Sequence, residues 1–425
     1  MLWMALAFLA LLVLGTPIAF ALGVAGVIGL IAENIPLRVM PVRIFDSIDS
    51  FALLAAPFFI LAGEIMSRGG ITERLIKLAA LITGAVRGGT AYANVVASVL
   101  FAGISGSAVA DTAALGQVFI KGMPKEGYRV DYSAAVTLAS SVIGPIVPPS
   151  IILVIYAAVA QISILDLFLA GVLPGLLLAG ALCAVIWFDA SRNRLPKATV
   201  VIEKEEVPRL VRDGILVFFL PVIIVGGVAS GVFTATEAGG IACVYAIIIA
   251  GGILRTLDFK ELWEALKVSA RATATLYLII AAASLVSYVL ALGGFQSEIG
   301  RFFQAFQDNP VLFMIVMALM MLAIGTFLEP SASIVLFVPL LLPPALSLGI
   351  DPLHFSMVMM MTLTIGLITP PVGVCLFVAM KLSNVNIVRM SMAVLPFLIA
   401  EIVVVFAMVF FPIISTGLVD LLRGG

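Results

Sequence analysis

Apolar residues in this chain come in long runs cut by short polar stretches. Residues 1–32, 132–165 and 167–188 hold no charged side chain, and each run reaches the roughly 20 residues needed to cross hydrocarbon as a helix. The pattern predicts membrane helices over 2–31, kinked at Gly15-Thr16-Pro17, and over 51–66, 132–159, 167–188, 214–230, 237–254, 273–292, 354–380 and 390–411. A polar loop is expected at 33–50. Residues 71–86 and 258–267 mix charges with apolar residues at helical spacing, as helices lying along the interface do, and 295–306 reads as a second such arm mirroring 71–86. Stretches 88–120 and 311–346 each read as two half-length helices. Being too short to span, each pair is expected to form a re-entrant hairpin, which is tolerable only where protein or a water-filled cavity surrounds the irregular backbone.

The same programme occurs twice. Ile143-Gly144-Pro145-Ile146-Val147-Pro148-Pro149 returns as Ile365-Gly366-Leu367-Ile368-Thr369-Pro370-Pro371, a shift of 222 positions. Gly103-Ile-Ser-Gly-Ser107 meets Gly325-Thr-Phe-Leu-Glu329 at that same shift of 222. Each copy has a small-residue or Glu-Pro turn inside an apolar stretch, followed by a helix broken at Pro-Pro. Paired interrupted segments point to a substrate and ion site of a secondary transporter. The repeat divides the chain into a first half over 1–188, a linker and connecting helix over 189–236, and a second half over 237–425. The fold class is therefore all-α and polytopic in the membrane, with two re-entrant hairpins and two broken helices.

Composition supports the membrane reading, with 63% hydrophobic and 11% charged residues, far from a soluble domain. A net charge of −1 excludes a nucleic-acid binder. Cys183, Cys243 and Cys375 lie in apolar segments and read as small buried hydrophobes. His354 is the single histidine, so zinc and triad chemistry lack their partners. No GxxxxGK[ST] motif is present, which argues against an ATP-driven pump. Residues 1–31 lack the basic n-region of a signal peptide and are expected to be a mature helix. Nineteen of the 23 Lys and Arg fall in 67–90, 121–131, 189–213, 255–271 and 381–389, while Arg38, Arg43, Arg301 and Arg423 fall on the opposite side. The positive-inside rule puts the first group in the cytoplasm. One connecting helix between two four-crossing halves then makes the repeat inverted, so that the hairpin tips approach near the midplane.

At the first tip, Ser105, Gly106 and Ser107 offer hydroxyls and close backbone approach, and the half-helix that follows favours an anion at its start. Carbonyls freed where Pro149 and Pro371 interrupt their helices are hard oxygen ligands suited to sodium. Two sodium sites are expected: Ser105 and Ser107 with the carbonyls around Gly144 to Val147, and Gly325 and Thr326 with Gly366 and Thr369. The first would use hydroxyls at its tip and backbone at its break; the second has a hydroxyl at both. Substrate is expected against Ser105, Gly106, Ser107, Pro149, Ser150, Pro330 and Ser331. Asp111 and Glu329 are intramembrane acids near the tips, where ion contact competes with helix-start capping. Glu237 is expected to cap its helix, and Glu401 to face another subunit or an internal polar partner.

These residues resemble the large membrane subunit, of DctM type, of the tripartite ATP-independent periplasmic (TRAP) transporters. The resemblance runs end to end, through Gly15-Thr-Pro-Ile-Ala-Phe-Ala-Leu-Gly23, Pro57-Phe-Phe-Ile-Leu-Ala-Gly63, Gly103-Ile-Ser-Gly-Ser-Ala-Val-Ala-Asp111, Gly231-Val-Phe-Thr-Ala-Thr-Glu-Ala238 and Ile350-Asp-Pro-Leu-His-Phe355. It implies sodium-driven uptake of an organic acid, such as a C4-dicarboxylate or sugar acid, across the bacterial inner membrane. It further implies an elevator-type fold, a periplasmic substrate-binding protein and a small four-helix membrane subunit of DctQ type as partners, and no enzymatic activity. With no small-subunit segment before its first helix, the chain reads as the unfused form. A self-sufficient sodium/carboxylate symporter of the same superfamily is the alternative. A membrane-embedded enzyme would need a paired-acid or histidine motif, which the sequence lacks.

Overall fold

The computed structural model describes residues 2–84, 86–197, 205–294, 306 and 309–423. The charge-free N-terminal run folds as two helices, α1 (Leu2–Val13) and α2 (Ile18–Ala32), instead of one kinked span. Gly15 takes φ +76° at the reversal, and a Cβ on Gly29 would sit 2.8 Å from Met4 Sδ, so α1 returns along α2. Hydropathy cannot distinguish the two arrangements, because both bury or expose the same apolar run. The stretch read as a polar loop contains α3 (Val39–Ile48), an amphipathic helix. It is followed by α4 (Ala55–Arg68) and the arm α5 (Ile71–Thr83), as the mixed pattern predicted.

The first hairpin is α6 (Gly89–Ser105) and α7 (Ala108–Gly122). A broken helix follows, α8 (Val130–Ser141) and α9 (Ile151–Ala160), then α10 (Ile164–Ser191). The connecting helix α11 (Val207–Ala229) starts well before the predicted 214 and takes up the end of the expected linker. In the second half α12 (Ala235–Ile247) runs on as a π-helical turn to Ile253. Thr234 and Glu237 cap it reciprocally, confirming the role expected of Glu237. The segments expected at 258–267 and 273–292 are one helix, α13 (Phe259–Leu292), about 51 Å long at 1.5 Å per residue. The second arm, 295–306, lies outside the described residues apart from Phe306. The second hairpin is α14 (Pro310–Gly325) with α15 (Pro330–Ser347), the second broken helix α16 (Pro352–Gly366) with α17 (Val374–Ser383), and then come α18 (Ile387–Phe410) and a further amphipathic helix, α19 (Ile413–Arg423).

A shift of 222 carries α6 onto α14, α7 onto α15, α8 onto α16, α9 onto α17 and α10 onto α18 to within a few residues. The Pro148–Pro149 and Pro370–Pro371 bonds are both cis. The same shift carries α3 and α4 onto the two ends of α13, so one half breaks a helix that the other keeps continuous. Packing gathers α1 to α4 and α11 to α13 on one side of the molecule, and the hairpins, broken helices, α10, α18 and α19 on the other. The arm α5 lies between them, against α6 and α11.

Contacts among the polar ends place the five basic stretches on one face. Arg74 pairs with buried Asp213, Arg68 with Glu261 at 3.0 Å, and Arg389 with Asp131 at 2.8 Å. Arg87 Nη1 donates to Leu195 O at 3.3 Å. On the opposite face Arg43 stacks over Tyr288 at 4.2 Å, and Arg423 meets Asp166 at 2.5 Å. Residues hundreds of positions apart thus sort by charge, as the hydropathy layout required.

Candidate functional site

The first hairpin turns at Gly106, whose φ of +57° is left-handed. Its backbone is pressed on the first helix break: a Cβ here would lie 3.0 Å from Ile151 N and 3.2 Å from Ser150 Cα. Glycine is needed for both reasons. Ser107 caps α7, accepting from Ala110 N at 3.4 Å. Ser105 Oγ accepts from Ser107 N at 3.2 Å and donates to Asp111 Oδ1. Asp111 is fully buried, and its Oδ2 has no hydrogen-bond partner among the described residues. That oxygen points at Gly144, where any Cβ would fall on it. At the break itself Pro148 has no N–H to return to Gly144 O, so this carbonyl lacks its helical partner. A hydroxyl, an unpartnered carboxylate oxygen and a freed carbonyl together form a donor set for a hard monovalent cation. Val147, whose carbonyl was expected among the ligands, packs its side chain on Gly175 of α10.

The second tip meets the second break more closely. A Cβ on Gly366 would lie 2.5 Å from Gly325 C and 2.6 Å from its Cα, while one on Gly325 would lie 2.6 Å from Leu363 O. Gly373 N donates to Thr326 O at 3.1 Å, tying break to tip. Here the carbonyls are already engaged: Gly366 O accepts from Thr369 N at 3.0 Å and Leu367 O from Cys375 N at 3.0 Å. The hydroxyls donate within their own segments, Thr326 to Ala323 O at 2.7 Å and Thr369 to Ile365 O at 2.8 Å. Their oxygen lone pairs remain for a ligand. Glu329 caps α15, accepting from Ser331 N at 3.0 Å, Ala332 N at 3.3 Å and Ser331 Oγ at 2.9 Å. Ser333, the repeat equivalent of Asp111, donates to Glu329 O at 3.2 Å. The two copies therefore place their acids differently: Asp111 one turn inside its half-helix, opposite Ser333, and Glu329 at the helix start, opposite Ser107.

Both tips reach one cavity of about 480 Å³ between α4, α13 and the hairpins. Ser105, Gly106, Ser107, Glu329 and Ser331 line it, with Glu64, Ser67 and Gln117 toward the basic face. Of the other residues read as substrate contacts, Pro149, Ser150 and Pro330 are buried outside this lining. Ser150 Oγ donates to Pro145 O at 2.5 Å and accepts from Leu153 N at 3.4 Å, so it holds the start of α9. Among the described residues no Lys, Arg or His lines the cavity.

A buried polar seam joins α6 to α8, and the repeat did not reveal it. Asn94 Nδ2 donates to Thr137 Oγ1 at 2.7 Å, Ser98 to Ser140 at 2.8 Å, and Thr112 of α7 to Ser141 at 2.8 Å. The available signal was helical spacing, with Thr90, Asn94 and Ser98 four residues apart in an otherwise apolar helix. Glu401 departs from expectation in another way. It is fully buried within the chain, and neither oxygen has a partner among the described residues.

Two hairpin tips set against two broken helices in an inverted repeat define a polytopic secondary-transporter fold. The crystal structure of the Alcanivorax borkumensis YdaH transporter shares it, with a TM-score of 0.63 over 91% of this chain and 89% of that one at 14% identity. Residues 5–414 match the family described as tripartite ATP-independent periplasmic transporter, DctM component, and the chain belongs to that family. It is 36% identical over 420 residues to the sialic acid TRAP transporter large permease protein SiaM of Vibrio cholerae, covering 98% of this chain and 97% of that protein. It is 37% identical over 382 residues to the C4-dicarboxylate TRAP transporter large permease protein DctM of Pseudomonas aeruginosa, covering 90% and 89%. The chain is thus a transporter permease subunit, not an enzyme.

Proposed function

We propose that this permease takes up an organic acid together with sodium across the bacterial inner membrane. A periplasmic binding protein would deliver the acid, and a small membrane subunit would complete the complex. The observation that carries the reading is the charge of the shared cavity, which is lined by the carboxylates of Glu329 and of Glu64, the latter paired at 3.4 Å with Arg68 outside the lining, and by no basic side chain among the described residues. An organic anion entering such a space needs a cation to come with it, since an uncompensated charge at that depth costs several kcal/mol. The start of α7 supplies only a partial positive charge. Asp111 Oδ2 and Gly144 O lie behind the first tip, where a bound sodium would screen the substrate carboxylate through Ser105 and Gly106. Thr326 and Thr369, with the lone pair of the Gly366 carbonyl that Thr369 N leaves unused, are proposed to hold a second sodium. The helices around the hairpins would move as one body against α1 to α4 and α11 to α13, carrying the site between faces. Relatives that carry sialic acid and C4-dicarboxylates support a carboxylate as the shared chemical feature.

Reconstituted with both partners, the permease should accumulate its acid only under an inward sodium gradient, and the permease alone with free acid should transport little. Uptake that follows a proton gradient and ignores sodium would remove the coupling. Full uptake without a binding protein would favour a self-sufficient symporter.

Thr369→Val tests the second ion site. The substitution keeps the shape and removes one ligand oxygen, so half-saturating sodium should rise roughly threefold to tenfold, the value of about 1 kcal/mol for one neutral polar contact. Thr362 is the matched control, since its hydroxyl also donates to its own helix, to Val358 O and Met359 O at 2.9 Å, away from the break. Equal half-saturation in Thr369→Val and Thr362→Val would sink the assignment.

A further inference from the structure

A second polar cavity, of about 390 Å³, opens on the basic face, away from both hairpin tips. Arg129, Arg194 and Arg389 line it together with Asp131, Asp189 and Tyr132. Asp131 is spent internally: its side chain is 1% exposed and takes Arg129 Nη2 at 2.6 Å and Arg389 Nε at 2.8 Å. Asp189 meets Arg194 only at 3.4 Å. Three guanidinium groups against two carboxylates leave one positive charge. Among the described residues the terminal nitrogens of Arg389 make no hydrogen bond. Arg129 just before α8, Arg194 just after α10 and Arg389 at the start of α18 thus bring three guanidinium groups to one space, with the terminal nitrogens of Arg389 unused.

The other wall is apolar, made by Met392, Ala393, Pro396 and Phe397 of α18. Met392, Leu395 and Ile399 continue it as a track on the same helix, 64%, 49% and 53% exposed. A cationic pocket at the membrane surface joined to an exposed apolar track running into the bilayer matches an anionic phospholipid, with the phosphate among the arginines and an acyl chain along α18. We infer that this cavity is a headgroup site for an anionic phospholipid. Because Asp131 belongs to the first repeat and Arg389 to the second, a lipid here bridges the two repeats on the basic face. The inference rests on the membrane orientation of the fold and is independent of sodium coupling.

Native mass spectrometry of the full chain in detergent, titrated with phosphatidylglycerol or phosphatidylcholine, tests it. Wild type should bind one phosphatidylglycerol more tightly than phosphatidylcholine. Arg129→Gln combined with Arg194→Gln should weaken that lipid roughly 25-fold, at about fivefold for each arginine, while leaving phosphatidylcholine unchanged. Both residues are exposed, and Arg389 still pairs Asp131, so the double variant should melt like wild type; Arg194→Gln alone, expected to weaken the lipid about fivefold, is the fallback. Arg192→Gln is the control, since Arg192 shares the face but stacks on Phe188 at 3.9 Å, outside the cavity. Phosphatidylglycerol bound equally by wild type and the double variant, or lost equally in the Arg192 control, would overturn the site. Displacement of the lipid by excess inorganic phosphate would also overturn it, by showing a soluble-anion site.

Discussion

Asp111→Asn is expected to raise half-saturating sodium for uptake by roughly 30-fold to 100-fold while leaving the protein folded. A unit charge about 4 Å from a cation is worth about 4 kcal/mol at the effective dielectric of a protein site. Part of that returns when a buried carboxylate is neutralised, which brings the expected loss to roughly 2 to 3 kcal/mol. The amide keeps the acceptor that Ser105 donates to and the volume that faces Gly144, so the tip should keep its conformation. Sodium titration of uptake in proteoliposomes with the partner proteins reads the effect, and a thermal melt reports folding. Should Asp111 serve only to hold the tip, Asn would do that equally well, and the sodium dependence would match wild type. Serine stands at the equivalent position 333, so Ser333→Ala should move the sodium dependence far less.

Gly366→Ala should reduce uptake on the order of 100-fold, the penalty for displacing a binding constellation by about 1 Å. The new methyl would meet Gly325 C at 2.5 Å, Cα at 2.6 Å and O at 3.0 Å, all backbone atoms. No rotamer can relieve that contact, so the end of α14 must move off the end of α16, with overpacking strain of about 1 to 3 kcal/mol. The second tip would leave its break, and the proposed second sodium site would open. Gly180→Ala is the comparison, because a Cβ there meets nothing within 4 Å. Wild-type uptake by Gly366→Ala would show that close approach of tip and break is not required for transport.

Much of this architecture was written along the chain. The 222-position repeat located both hairpins and both breaks, because a Pro-Pro pair in an apolar run removes backbone donors wherever the run folds. The distribution of Lys and Arg sorted the loops onto two faces, because moving those charges into hydrocarbon is prohibitive however the helices pack. Capping at Glu237 was equally local, since Thr234 and Glu237 lie within one helical turn.

Tertiary structure decided what depends on partners distant in sequence. The charge-free run 2–31 folds into two helices because Met4 finds Gly29, and α13 is continuous where its repeat counterpart splits into α3 and α4. Asp111 gains its site character only from Gly144, 33 positions away. Residue spacing records helical faces but not which face meets which, so the seam of Asn94 with Thr137 and Ser98 with Ser140 was legible as polarity and not as contact. The burial of Glu401 within its own chain likewise follows from how α18 packs on α8, α10 and α16. By itself the sequence determined the sorting of basic stretches onto one face, the doubled plan and the places where helices must break, since these follow from transfer energies and missing donors along the chain. Which carboxylate meets which break, and which cavity the two tips share, was decided by helix packing, because those energies arise only once distant segments are in contact.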